Sequence, residues 1–142
     1  MLDGAMHQVH VFPCRVYYED TDAGGIVYHA NYLKFAERAR SELLRDLGTD
    51  NSSLLAKHGV LFAVRDCQVT YRRPAKLDDA LEVHTNITSV GRATLSALQT
   101  VRRSDEVVAE LVIRLACLDA SGRPKRLPEE IRTAFQSLRQ QH

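Results

Sequence analysis

Residues Tyr18 to Tyr32 read YEDTDAGGIVYHANY, a polar loop that runs directly into an amphipathic pattern. Glu19, Asp20 and Asp22 supply three acids, Gly24-Gly25 break the backbone, and His29 stands where a helical period begins. A carboxylate placed there can face the positive end of a helix dipole. Beyond the loop, Tyr32, Phe35, Ala36, Ala39, Leu43, Leu44 and Leu47 recur at intervals of three and four, and Lys34, Arg38, Ser41 and Arg45 take the opposite face. This spacing predicts one long helix over about Val27 to Leu47, stopped by Gly48.

Working outward, Val9 to Tyr18 alternates as a strand. Val9, Val11, Arg15 and Tyr17 fall on one side and Phe12, Cys14, Val16 and Tyr18 on the other. Pro13 within it argues for an edge or a bulge. After the helix a short second one is expected around Leu54 to His58. From Val60 the period is two, and four strands are expected at about Val60–Arg73, Ala80–Val90, Ala93–Arg103 and Val107–Leu118. Gly91-Arg92, Ser104-Asp105 and Asp119 to Pro124 supply turns, and a C-terminal helix is predicted from Pro128 to about Leu138. Short connections imply antiparallel pairing, so the expected fold is α+β: a five-stranded antiparallel sheet wrapped around a long central helix, in a single domain over 1–142. The last strand is apolar on both faces, with Leu111, Ile113 and Leu115 on one and Val108, Val112 and Leu118 on the other. That predicts a partner subunit.

Composition bounds the function. The chain has 142 residues, and a domain of that size can bury roughly 68–70% of its unfolded surface without disulfides or metal. Lys and Arg number 19 against 18 acids, a net charge of +1 that provides no global field for nucleic acid or anionic lipid. Cys14, Cys67 and Cys117 are odd in number and widely spaced, which predicts reduced structural thiols in the cytoplasm. No apolar run is long enough for a membrane span, the first residues lack a leader pattern, and the six histidines show no metal-ligand spacing.

Two readings of the loop stand side by side on residue types alone. Asp20, Thr21 and Asp22 suit helix capping and turns. Equally, Asp22 could act as base or nucleophile on a carbonyl polarised by first-turn amides, with glycines allowing close backbone approach and Glu37 as an alternative base.

The run YYEDTDAGGIVYHANYLKFAERAR, Tyr17 to Arg40, resembles the signature of the hotdog-fold acyl-CoA thioesterases of the 4-hydroxybenzoyl-CoA type, in particular their Tol-Pal-associated (YbgC-type) branch. The agreement in strand order extends over about Val9 to Leu118. The resemblance implies hydrolysis of an acyl-CoA to free acid and coenzyme A, with no cofactor. It makes Asp22 the catalytic carboxylate, makes His29 part of the site with its backbone amide as oxyanion donor, and places Gly25 and Tyr28 against the substrate. Candidate partners for the phosphates of coenzyme A are Arg72, Arg73, Lys76, Arg102 and Arg103. A homodimer or homotetramer with sites between subunits is implied, and acyl carrier protein is an alternative acyl donor. The rival class is a hotdog module that binds an acyl group without turning it over, and an aromatic acyl-CoA is the rival substrate.

Overall fold

A computed structural model describes residues 9–139. The elements run β1 (His10–Arg15), a 3-10 turn at Tyr18–Asp20, α1 (Asn31–Asp46), α2 (Asn51–His58), β2 (Leu61–Tyr71), β3 (Ala80–Val90), β4 (Thr94–Arg103), β5 (Glu106–Leu118) and α3 (Glu129–Leu138). All strand pairs are antiparallel in one sheet of order β1-β3-β4-β5-β2. This is the expected sheet wrapped around a central helix. Residues 1–8, over which no leader pattern is expected, lie outside the described residues. No described helix is long and apolar enough to cross a membrane.

The three-four repeat of α1 does what its spacing predicts. Tyr32, Phe35, Ala36, Ala39, Leu43 and Leu44 are buried against the sheet with Val83, Ala97, Val101 and Leu111. Each large apolar side chain so buried contributes roughly 1.5–3 kcal/mol. Gly48, at φ +92, ends the helix as expected, and Thr49 N–H donates back to the Leu44 carbonyl. Asp50 caps α2 by accepting from Ser53 N–H at 2.7 Å. Pro13 lies on β1, an edge of the sheet, where a missing N–H is tolerated.

Three expectations change. The helix begins at Asn31 rather than Val27, because Val27 and Tyr28 N–H are taken by the carbonyls of Ala75 and Asp20 (both 2.8 Å), which holds those residues out of helical register. The first strand ends at Arg15, since Val16 pairs with the 78–79 loop and Tyr18 turns into the 3-10 segment, leaving it 82% exposed. Finally, β2 does not pair with its neighbour β3. Residues 72–79 leave β2 bonded to Val108 at one side and reach Val16 at the other, so the segment crosses the end of the sheet and β2 becomes the edge beside β5.

Two bulges adjust which side chains face the helix. In β2 the register shifts between Val64 and Asp66. Tyr71, Val69 and Cys67 therefore share a face with Val64 and Phe62 despite the change from odd to even numbers. In β5 the irregularity at the Val101/Arg102 register turns Val108 inward, where it is fully buried, while Val112 stays 48% exposed on the outer face.

Candidate active site

The loop before α1 closes on itself through a Thr21–Val27 bridge, with Asp22 N–H donating to the Ile26 carbonyl at 2.9 Å. Gly25 adopts φ +83 to make the turn, a conformation that a side chain disfavours by roughly 1–2 kcal/mol. Within the turn, Asp22 Oδ1 accepts from Gly24 N–H at 2.8 Å and from Ile26 N–H at 3.4 Å. Its Oδ2 receives no donor among the described residues. One carboxylate oxygen is anchored and the other is free, on a residue that is exposed.

At the far end of the loop, Tyr28 carbonyl accepts from Asn31 N–H at 2.8 Å. A trans peptide sets the next N–H opposite its carbonyl, so the His29 N–H points away from the start of α1. Neither His29 nor Ala30 N–H has an acceptor among the described residues. The His29 carbonyl accepts from Tyr71 Oη at 3.0 Å, and the His29 ring packs between Tyr28 (centroids 4.5 Å apart) and Tyr71 (6.3 Å). Two oriented, unpaired amides thus stand at the positive end of a 16-residue helix.

Asp20 holds the two ends together. It is 2% exposed; its Oδ2 accepts from Tyr17 N–H at 2.8 Å, its Oδ1 from Asn31 Nδ2 at 2.9 Å, and its carbonyl from Tyr28 N–H. The turn role that residue types allowed for this acidic run is filled by Asp20 with both carboxylate oxygens and by Asp22 with Oδ1 alone. Asp22 is left with an oxygen to spare. A free carboxylate oxygen in the same loop as unpaired helix-start amides is the chemistry that can attack, or deprotonate water against, a carbonyl whose oxygen such amides polarise.

The family model of the thioesterase-like superfamily matches residues 16–135. The chain belongs to that superfamily. It is 43% identical over 129 residues to the acyl-CoA thioesterase YbgC of Haemophilus influenzae, covering 90% of this chain and 95% of that one. It is also similar to the 1,4-dihydroxy-2-naphthoyl-CoA hydrolase of Nostoc punctiforme, at 32% identity over 82% of this chain and 79% of that one. Among solved structures, the probable thioesterase from Bartonella henselae superposes with a TM-score of 0.82 at 37% identity, over 84% of this chain and 99% of that chain.

In this thioesterase the sequence-predicted positions divide. Asp22, Gly25, Tyr28 and His29 lie in one loop at the mouth of α1, Tyr28 and His29 before the helix rather than in its first turn. Arg72 and Arg73 are exposed, and each is held by an acid: Arg72 Nη2 meets Glu110 at 3.0 Å and Arg73 Nε meets Glu106 at 2.7 Å. Arg103 bridges Asp79 and Glu106, both at 2.8 Å, which together hold its pKa above the usual range, and Arg102 donates to Thr100 Oγ1. Lys76 differs. Its backbone is bridged to Ile26 of the loop, and Asp79 is committed to Arg103, so the Lys76 ammonium has no ion pair among the described residues. Glu37 lies on the exposed flank of α1, two turns inside the helix.

Asp20, Asn31 and Tyr71 are the positions that residue patterns did not single out as shaping the site. Tyr71 sits 42 residues beyond His29 and meets it only through the fold. An acid followed eleven residues later by Asn could have hinted at the Asp20–Asn31 pair, but only once the helix start was known.

Proposed function

We propose that this protein hydrolyses acyl-CoA thioesters to the free acid and coenzyme A, as a member of the Tol-Pal-associated branch. The observation that carries the reading is the unanchored Asp22 Oδ2 in the same loop as the unpaired His29 N–H. Asp22 acts on the thioester carbonyl in one of two ways. As a base it takes a proton from water, whose oxygen then bonds to the carbonyl carbon. As a nucleophile it forms a mixed anhydride that water opens. On either route the His29 amide stabilises the oxyanion and the C–S bond breaks to release the thiolate of coenzyme A. A thiol pKa near about 8.5 makes that leaving group good without a strong general acid. The His29 ring, tilted against Tyr28 and edge-on to Tyr71, then serves to orient substrate beside Gly25 and Tyr28.

The test is a panel of acyl-CoA thioesters, short to long and aromatic, scored for free thiol. Hydrolysis by the wild type supports the reading. A flat panel would favour the module that binds an acyl group without turnover. The identity to the acyl-CoA thioesterase YbgC exceeds that to the naphthoyl-CoA hydrolase, which favours the YbgC-type branch over the naphthoyl-CoA one.

We place the phosphates of coenzyme A nearest Lys76, because Arg72 and Arg73 are already paired. Lys76→Glu is expected to raise KM for acyl-CoA several-fold, and Arg73→Ala to raise it less. Steady-state kinetics showing the reverse order would move the phosphate site to the arginines.

The site is completed, in this reading, by a second copy of the chain in a dimer or tetramer. Asp22 and His29 are exposed, and among the described residues β2 is an unpaired edge whose Val64 is 51% exposed. Sedimentation velocity should show a dimer or larger, and a monomer at working concentration would contradict this. Three unpaired thiols, whose pKa values burial raises (Cys14 to about 11), suit the reducing cytoplasm.

A further inference from the structure

A second feature lies along α1, away from the loop. Leu33, Glu37, Arg40 and Leu44 form one stripe at intervals of four, three and four, and the same spacing carried back reaches His29. Opposite it stands the face of β2 that the bulge keeps continuous, from Tyr71 beside His29 through Cys67 to Val64 and Phe62. The groove between them holds Leu33, Val64 and Cys67, and it shares Glu37, Arg40 and Val64 with a cavity of about 170 Å³ beneath the second half of the helix. Apolar side chains dominate the cavity, including Leu43, Phe62, Ile87, Leu115 and Phe135.

Arg40 is the cation of the cavity, whose other polar lining residues are Glu37, Ser41, Asn51 and Thr85, while Lys34 lines the groove outside it. Arg40 Nη1 donates to Gln99 Oε1 at 3.0 Å. The Gln99 amide nitrogen donates to the Ala36 carbonyl at 3.1 Å and to Thr85 Oγ1 at 3.0 Å, so the amide is oriented with its oxygen toward Arg40. Gln99 is fully buried and Arg40 half-buried, and burial lowers the Arg40 pKa. Among the described residues no carboxylate reaches within 4 Å of the guanidinium, Glu37 included. Of five N–H donors only one is used within the described chain, and none of the others is sealed from solvent.

We propose that this groove and cavity take the acyl chain of the substrate, and that Arg40 selects medium-length chains carrying a hydrogen-bonding oxygen, such as a hydroxyl, at the distal end. The proposal rests on the thioesterase reading above. The helix rise puts Arg40 about 14 Å beyond the first residue of α1, which sets the length at which the oxygen meets the guanidinium. A wholly apolar cavity would reject such a chain, because an unbonded hydroxyl is costly to bury. An oriented guanidinium with spare donors reverses that preference.

The readout is a ratio within each enzyme: kcat/KM for medium-chain acyl-CoA with a terminal hydroxyl over that for the plain chain of equal length. The wild type is expected to favour the hydroxylated chain by about tenfold, the worth of a hydrogen bond to a charged group. Arg40→Met should bring the ratio to one or below, and Arg40→Lys should fall between. A wild-type ratio at or below one at every length overturns the proposal, as does a ratio unchanged in whichever of the two variants folds. If the wild type hydrolyses nothing, the thioesterase reading fails. Calorimetry of a medium-chain hydroxy acid against its plain counterpart then decides the cavity. Tighter binding of the hydroxy acid supports it, and equal or weaker binding overturns it.

Discussion

Asp22→Asn is expected to lower kcat for acyl-CoA hydrolysis by about 10²–10⁴-fold while leaving the thermal midpoint nearly unchanged. The substitution keeps the shape of the side chain. The Asn carbonyl can occupy the place of Oδ1 and accept from Gly24 and Ile26 N–H, so the loop stays closed. The amide nitrogen then sits where Oδ2 was, and it can neither take a proton from water nor attack a carbonyl. No donor among the described residues bonds Oδ2, which is why stability should hold. Stopped assays of thiol release, paired with a melting curve, check both halves. Full activity with an intact fold would remove Asp22 from the mechanism.

Asp20→Ala should show a different signature, lowering stability and rate together. Two donors, Tyr17 N–H and Asn31 Nδ2, lose their acceptor in a buried place. Orphaning them and deleting charge-assisted hydrogen bonds costs about 3 kcal/mol, or about 10 °C in midpoint for a chain of this size. The same bonds hold the Tyr28–Asn31 turn that aims the His29 amide, and a displacement of about 1 Å there can cost about 10²-fold in rate. Thermal denaturation and kinetics on one preparation measure both. A variant of wild-type stability with wild-type kcat would show that Asp20 positions nothing.

The contrast between these two acids marks the limit of what residue patterns convey. Alternation of period two located Ala80–Val90 to the residue, and the three-four repeat located the buried face of α1, because both are local consequences of how side chains leave a backbone. The start of α1 was not local. It depends on carbonyls of Ala75 and Asp20 capturing the amides of Val27 and Tyr28. The place of β2 was hidden for the same reason, since a short link to β3 looks like a hairpin until residues 72–79 are seen to cross the sheet. Asp20 and Asp22 are indistinguishable as residue types, and it is the positions of Tyr17 and Asn31 in space that bury one. The reaction itself came from the long motif Tyr17 to Arg40, whose resemblance the superfamily match bears out.

The proposed convergence of Asp22 and the His29 amide on one carbonyl is open to a direct test. A crystal structure of the protein with a ketone analogue of acyl-CoA, in which methylene replaces the thioester sulfur, should place the ketone oxygen about 2.7–3.1 Å from the His29 nitrogen, with Asp22 Oδ2 facing the carbonyl carbon. An analogue bound with its carbonyl away from both groups would contradict the account.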